Sequence, residues 1–326
     1  MITTAKNGPK ETEPQKNADR IEDFNQYRSL LFAIAYRMLG SVMDAEDMVQ
    51  ETFLRWQQAS KQNVKSTKAY LTTIVTRLCI DRLRSARAQR EQYVGPWLPE
   101  PIVAEPSQSL NTDPNAMAEL ADSLTMAFLV LLERLSPLER AVFLLREAFG
   151  YDYTEISRIV DKKAANCRQI ARRARQHLAD QRPRFRASLQ QQEQLTHKFM
   201  RASQQGDFQG LLDLLAKDIT LWSDGGGQVV ACLKPLHGAA KVAGFLRAIH
   251  RRGKKIGLGY EIELAQVNGQ PGLIYTLDGN VASVVAIEIV DNQIQSLYFM
   301  RNPNKLKQSF SKNVAKMVIN NLRNSR

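Results

Sequence analysis

The stretch LERLSPLERAVFLLREAFGYDYTEISRIVDKKAANCRQIARRARQHL, Leu132 to Leu178, decides how the rest of the chain is read. Ser136 caps a helix and Pro137 suits its first turn, where a missing N–H costs nothing. Leu138, Val142 and Leu145 then form one apolar stripe. Tyr153 opens a second, shorter helix with Thr154 as its expected cap, and Asp161-Lys162-Lys163 makes a turn. Ala164–His177 follows as a third helix with cations on its outer side. Two short helices joined by a tight turn describe a helix-turn-helix, whose second helix lies in a DNA major groove. The start of that helix would meet base edges, with Asn166 and Arg168 foremost, while Arg172, Arg173 and Arg175 reach phosphates. A three-helix protein-interaction module with a basic face shares the pattern, and the spacing speaks against it.

Working toward the N-terminus, this helical segment extends back to about Asn115. Before it, Pro96, Pro99, Pro101, Pro106 and Pro114 place five of the twelve prolines between Gly95 and Asn115, which predicts an extended linker. From Asp23 to about Ala88 the periodicity is again helical. Asp44 is a candidate cap for a helix whose stripe is Ala45, Met48, Val49, Phe53 and Trp56. Its other side carries Glu46, Asp47, Gln50 and Glu51, as a solvated face or as a docking face for a basic protein surface. The next helix turns Leu71, Ile74, Val75 and Leu78 inward and crowds Arg77, Arg82, Arg84, Arg87 and Arg90 into its second half. Tyr70 begins it, after the polar loop Asn63–Lys68. Arginines beside an aromatic and a loop suit phosphates and an unstacked base, though a tyrosine such as Tyr70 taken alone is more often a packing residue. Residues 1–20 are polar and are expected to be a disordered leader.

Charge follows the same division. The chain has 326 residues and a net charge of +12. Residues 55–90 carry nine basic and one acidic side chain, net +8, and residues 158–186 carry ten and two, again net +8. Between them, residues 91–157 are net −8. Two separated basic blocks outline two polyanion contacts, or two solvated helix faces.

After Gln190 the period changes. Helices at about 193–205 and 207–216 precede β-branched runs at 219–223, 229–233, 258–267, 273–277, 282–290 and 294–300, with a helix at about 238–251 among them. Asp224-Gly225, Asn268-Gly269, Asp278-Gly279 and Asp291-Asn292 read as turns. The expected fold is multidomain: two all-α modules, then an α+β domain with a mostly antiparallel sheet.

The runs DAEDMVQETFLRW (Asp44–Trp56) and AYLTTIVTRLCIDRLRSARAQR (Ala69–Arg90) resemble region two of bacterial extracytoplasmic-function sigma factors, and Leu132–Leu178 resembles region four. The resemblance implies that Asp44, Glu46, Asp47, Gln50 and Glu51 contact the clamp helices of the RNA polymerase β′ subunit. It implies that Asn63, Val64, Lys65, Ser66, Thr67, Tyr70, Arg77 and Arg84 lie at a single-stranded −10 promoter element. At a duplex −35 element it implies Lys163, Ala165, Asn166, Arg168, Gln169, Arg172 and Arg173. Tyr70 stands where the family often has Trp, and keeps a stacking face.

Three further boxes resemble a subgroup of that family with a fused SnoaL-like domain. They are Trp97-Leu98-Pro99-Glu100-Pro101, Asp224-Gly225-Gly226-Gly227-Gln228 and Asn302-Pro303-Asn304-Lys305-Leu306. Gln228 stands where the subgroup has Lys, and Asn304 where it has Asp. The resemblance implies a regulatory role for these boxes and a SnoaL-like cone of curved antiparallel sheet. The expected domains are a leader at 1–20, region two at 21–92, the linker at 93–115 and region four at 116–186. The SnoaL-like domain then spans 191–306, and a basic tail spans 307–326.

Other chemistry finds little support. Cys79, Cys167 and Cys232 have no paired spacing, and the four histidines have no metal-ligand spacing, so neither a metal nor a cofactor is expected. The triple glycine lacks the Lys-Ser/Thr of a phosphate loop. Trp222, Asp224, His237, Tyr260, Glu261, Glu263 and Tyr275 are polar or aromatic candidates for a pocket that holds a small-molecule ligand. Each reads more readily as structural than as catalytic: Asp224 as a turn residue, His237 as a helix-entry residue, and Glu261 and Glu263 as solvated strand positions. No apolar run reaches the roughly 20 residues of a membrane span, and a cytoplasmic protein without catalysis of its own is expected. Two other readings stay open: a ligand-responsive helix-turn-helix regulator, and a DNA-binding head fused to an isomerase or hydrolase.

Overall fold

The computed structural model describes residues 13–59, 64–90, 92–104, 124–179, 188–255 and 260–309. Helix α1 runs Glu13–Leu39, α2 Val42–Gln58 and α3 Thr67–Arg90. Helix α1 therefore begins inside the stretch expected to be an unstructured leader. Its last turns are buried almost all round, from Leu31 to Leu39, and packing of that kind extends a helix through polar residues of ordinary propensity. Gly40 ends it with φ +66°, its N–H donating to the Tyr36 carbonyl at 2.8 Å. Ser41, not Asp44, caps α2: its hydroxyl accepts from the Asp44 N–H at 3.2 Å. Asp44 sits in the first turn, where its charge complements the helix dipole.

Helices α4 (Met126–Leu132), α5 (Pro137–Glu147), α6 (Tyr153–Val160) and α7 (Ala164–Ala179) form the second helical group. Ser136 and Glu139 make a reciprocal capping box at the start of α5, as the Ser-Pro signal predicts. Asp152, not Thr154, caps α6, because its carboxylate reaches both the Thr154 and Glu155 N–H groups at 2.7 and 2.8 Å. The turn into α7 needs no glycine: Asp161 itself takes the left-handed conformation at φ +52°. One apolar core runs unbroken through α1–α3 and α5–α7, from Phe24 to Leu178. The two helical groups are therefore packed against each other.

The remainder is α+β. Helices α8 (Leu189–Gln205), α9 (Phe208–Leu214) and α10 (Ala239–Lys255) cover one face of a seven-stranded sheet, and α11 (Pro303–Ser309) follows the last strand. The strands are β1 (Val103–Ala104), β2 (Leu215–Asp224), β3 (Leu236–His237), β4 (Tyr260–Val267), β5 (Gln270–Leu277), β6 (Asn280–Val290) and β7 (Gln293–Met300), in the order β1-β4-β5-β6-β7-β2-β3. All neighbours are antiparallel except β2 and β7, where Leu221 faces Leu297 in parallel register. Three two-residue hairpins close at Asn268-Gly269, Asp278-Gly279 and Asp291-Asn292, every residue with positive φ, as primed turns require.

One further expectation changes. Residues 229–233 form no strand. The Gly225 carbonyl takes the Gln228 N–H at 3.0 Å, curling the chain, and Val230 and Leu233 stay 83% and 68% exposed. The extended linker, as far as Ala104, is packed onto the rest of the chain along its length. Val103 and Ala104 add an edge strand against Val267 and Gln266, and Leu98 is fully buried with Met126, Tyr298, Met300 and Leu306 on the sheet's second face.

Candidate functional site

The sequence boxes meet at one point. Asp224, at the end of β2, is completely buried. Its Oδ1 accepts from the Tyr93 hydroxyl at 2.6 Å and from the Gly226 N–H at 3.0 Å. Its Oδ2 accepts from the Leu98 N–H at 2.9 Å and pairs with Lys305 Nζ at 2.8 Å. Lys305 Nζ also donates to the Leu98 carbonyl and lies 4.2 Å above the Trp97 ring. Asn302 completes the knot by donating to the Tyr93 hydroxyl at 2.8 Å. Burial and the Asp224 carboxylate together hold the Tyr93 phenol well above its ordinary value. An anion that accepts three hydrogen bonds and pairs with a cation is satisfied, as burial demands. It is not free to act as a pocket base.

Four residues downstream of Tyr93, Trp97 begins the stretch that ties this knot to the helices. The Glu100 carboxylate accepts from Ser41 Oγ at 3.0 Å and from the Val42 N–H at 2.6 Å, at the start of α2. The Glu100 N–H donates to the Gly40 carbonyl at 2.8 Å, and Tyr36 donates to the Glu100 carbonyl at 2.6 Å. Asn268, in a hairpin of the sheet, donates to the Tyr36 hydroxyl at 2.8 Å and holds Ile102 through its backbone and side chain. Pro99 and Pro101 are buried between these contacts. Sequence reading missed Tyr36, Tyr93, Asn268 and Lys305 as partners. Only Lys305 carried a signal, since it lies inside the third box.

The helical groups join through α3. Arg77 donates from Nε to the Ile159 carbonyl at 2.8 Å and from a terminal nitrogen to the Arg158 carbonyl at 3.0 Å, capping α6. Thr72 and Tyr151 hydroxyls are 3.0 Å apart, and Lys68 lies over the Tyr151 ring. Arg140 of α5 reaches the Met38 carbonyl at 2.6 Å. Three of the residues expected at single-stranded DNA are thus engaged within the chain. Arg77 holds α6, and Tyr70 packs its ring 5.8 Å from Trp56. Arg84 pairs with Asp81 at 3.0 Å. Lys65 and Ser66 are exposed, and Val64 and Thr67 half-buried. Asn63 lies outside the described residues.

On α7 the candidates share one exposed face. Lys163, Ala165, Asn166, Arg168, Gln169, Arg172 and Arg173 are all exposed, while Cys167, Ile170, Ala171 and Ala174 point into the core. Arg168 stacks on Tyr153, and Arg175 pairs with Glu147 at 2.8 Å instead of standing free. On α2, Asp47 and Gln50 are exposed. Asp44 pairs with Arg82 at 2.6 Å, Glu46 with Arg28 at 2.7 Å, and Glu51 with Arg55 at 2.8 Å.

The α+β domain has a small cleft between α4, α8 and the sheet, lined by Met126, Gln192, Gln270, Glu288 and Tyr298. None of the candidate pocket residues lines it. His237 Nδ1 is 3.1 Å from the Thr220 hydroxyl, Glu261 and Glu263 are exposed, and burial pushes the Tyr275 phenol up to about 12. Among the described residues no three His, Cys, Asp or Glu side chains gather as metal ligands, and no helix is long and apolar enough to cross a membrane.

Comparison with known proteins gives this arrangement a family. Residues 24–89 match the model of sigma-70 region 2, and residues 125–178 that of sigma-70 region 4. The ECF RNA polymerase sigma factor SigE of Mycolicibacterium smegmatis is 31% identical over 48% of this chain and 58% of its own. The crystal structure of the Mycobacterium tuberculosis extracytoplasmic function sigma factor SigJ superposes with a TM-score of 0.70 at 31% identity, covering 90% of this chain and all of that one. By sequence, SigJ of M. tuberculosis is 34% identical over 89% of this chain and 94% of its own length. A match of that extent, through both helical groups and the α+β domain, means that the chain belongs to the extracytoplasmic-function RNA polymerase sigma factors.

Proposed function

We propose that this sigma factor binds core polymerase through the exposed side of α2, melts and reads a −10 element with the loop before α3 and the exposed part of α3, and reads a −35 element with α7. The supporting observation is the single cationic and polar face of α7, from Ala165 to Arg173 with Lys163 just before the helix, set above a buried Cys167-Ile170-Ala171-Ala174 stripe. That face has the side chains a major groove requires: Asn166, Arg168 and Gln169 for base edges, Arg172 and Arg173 for phosphates. On α2, Asp47 and Gln50 present the counterpart for the β′ clamp helices, with Asp44, Glu46 and Glu51 flanking them. Polymerase supplies the chemistry, and the chain works in the cytoplasm, where core and promoter are found.

The α+β domain we read as regulatory. The leader, linker and two sigma regions end at residue 186, and the domain begins at 191. Through Trp97–Pro101 and the Asp224–Lys305 knot it grips the start of α2. The −10 and −35 elements are separate stretches of one promoter, whereas here α3 and α6 touch through Arg77. Transcription therefore requires the helical groups to separate. A small-molecule ligand in the α4–α8 cleft would act by binding one arrangement better than the other. Isomerase or hydrolase chemistry at Asp224 fits poorly with a carboxylate whose four acceptor positions are taken.

In vitro transcription from genomic promoter fragments with core polymerase tests the reading. A defined start site that depends on this chain is expected; core binding without any specific start would sink the proposal. Asn166→Ala should change which −35 sequences are used.

A further inference from the structure

Helix α10, AAKVAGFLRAIHRRGKK, carries six Lys and Arg side chains and no acidic one. These are six of the eleven basic residues between positions 187 and 302. Val242, Ala243, Leu246 and Gly253 turn to the core, while Lys241, Arg251, Arg252, Lys254 and Lys255 are all exposed. On the sigma-region helices arginines find carboxylates: Arg28 pairs with Glu46, Arg82 with Asp44 and Arg175 with Glu147. Among the described residues no cation of α10 pairs with a carboxylate. Arg247 stacks over the Phe208 ring, 4.3 Å from its centre.

The helix dipole does not account for this arrangement. It favours cations in the last turn, where Arg252, Lys254 and Lys255 sit. It disfavours Lys241, which stands in the first turn with no acid beside it. Arg247 and Arg251, and Arg251 and Lys255, are like charges one turn apart, a spacing that weakens a helix. The chain alone gains nothing from such a face, whereas an external polyanion does. Between the cations the face is low. An added Cβ at Gly244 would have nothing within 4 Å, and Ala248 is exposed. At i, i+3, i+7, i+10 and i+14, Lys241, Gly244, Ala248, Arg251 and Lys255 form one stripe about 21 Å long. A helix that lies in a membrane surface needs large apolar side chains beside its cations, and this stripe has none. A DNA duplex, with one phosphate per roughly 1.7 Å of axis, has the charge density to meet it.

Connectivity places that duplex. Helix α7 ends at Ala179 and α8 begins at Leu189. Those ten steps of chain span at most about 36 Å, so the α+β domain stays near whatever DNA α7 holds. We propose that the Lys241–Lys255 face of α10 binds the phosphate backbone of duplex DNA adjoining the −35 element. The position beside −35 rests on the promoter reading of α7; the binding of duplex by α10 does not. The domain then lengthens the grip on the promoter without taking part in the choice of bases, because phosphate contacts carry no sequence information.

Two measurements on the full chain test this. With Ala248 replaced by the photo-crosslinker p-benzoylphenylalanine, irradiated holoenzyme on an end-labelled promoter fragment should crosslink position 248 to duplex bordering the −35 element. Crosslinks to polymerase subunits alone would mean an acidic protein surface instead, and they or the absence of any crosslink would overturn the proposal. Separately, Arg251→Gln/Arg252→Gln/Lys255→Gln should lower the salt slope of promoter binding by about 2–3, because three phosphates keep their counterions. The loss should be equal for every sequence flanking the −35 element. On a fragment that stops at that element, parent and variant should bind alike. An unchanged slope on the long fragment, or an equal loss on the short one, would overturn the contact. If the holoenzyme selects no promoter, the promoter reading fails by itself. A position-248 crosslink from the free chain to an arbitrary duplex then supports the binding of DNA by α10, and its absence overturns that as well.

Discussion

Asp224 and Lys305 face each other at 2.8 Å, with side chains 0% and 9% exposed. A buried pair of this kind is costly to break from one side, since the survivor is left charged in a low-dielectric site. Lys305→Met should therefore destabilise the protein by about 3–5 kcal/mol. Asp224→Asn should cost a similar amount, and the double variant should recover part of the loss. Urea unfolding of the four proteins checks this; simple additivity would mean that the two groups do not act as a pair.

The grip on α2 should likewise be sensitive to shape. Gly40 has φ +66°, and a Cβ there would sit 2.8 Å from Trp97 Cη2 and 3.3 Å from Pro99 Cβ. Gly40→Ala combines left-handed strain of about 1 kcal/mol with a clash against the tryptophan. Trp97→Ala should relieve the clash but not the strain. Thermal melts should therefore show the double variant more stable than the sum of the single effects predicts.

Arg77 separates two roles that the sequence had merged. It was read as a promoter residue, yet its guanidinium caps α6 through the Arg158 and Ile159 carbonyls. Hydrogen bonds from a charged donor are worth about 1.5–3 kcal/mol when both partners are buried and less at a half-open site such as this. Arg77→Ala should loosen the contact between α3 and α6 and increase the distance between fluorophores placed on α2 and α7. If the distance distribution is unchanged, Arg77 is not a latch between the helical groups.

Local signals were legible where a residue acts through its own neighbours. The Ser136-Pro137 start, the three hairpin turns and the α7 face could be read because capping, positive φ and helical period are properties of a few adjacent residues. What could not be read were pairings across the chain. Nothing adjacent marks Asn268 as the partner of Tyr36, 232 positions away, or Tyr93 as the partner of Asp224. The strand expected at 229–233 failed for a related reason. Its β-branched residues had the propensity, but the Gly225–Gln228 turn curls the segment and it pairs with no strand, and propensity without a partner does not make a sheet.

Glu100 should give the protein a pH dependence. Burial raises its pKa above the ordinary 4.5, and the hydrogen bonds from Val42 and Ser41 only partly offset this. For an acid raised on folding, the stabilising contribution is full below the unfolded pKa and is lost as pH rises through the folded one. The parent should therefore lose stability as pH rises from about 4.5 toward neutrality, relative to Glu100→Gln, whose side chain does not titrate. Melting temperatures of both proteins across that range check the sign. A parent that gains relative to the variant as pH rises would show that the hydrogen bonds to the anion outweigh its burial.

The α7 face makes the sharpest separation between position and specificity. Asn166 is exposed near the start of the helix, whereas Arg172 and Arg173 lie two turns later. A phosphate contact carries no sequence information but releases a counterion, so Arg172→Ala should lower the salt slope of promoter binding by the holoenzyme by about 1 and weaken all −35 sequences alike. A base-edge contact behaves oppositely. Asn166→Ala should leave the salt slope unchanged, cost about 1–3 kcal/mol on the preferred element and relax discrimination at one position. Binding isotherms of both variants at several salt concentrations, on matched and singly substituted −35 elements, distinguish the two effects. If both variants change slope and selectivity together, α7 does not lie along the groove with its first turn inward, and the assignment of its face must be redrawn.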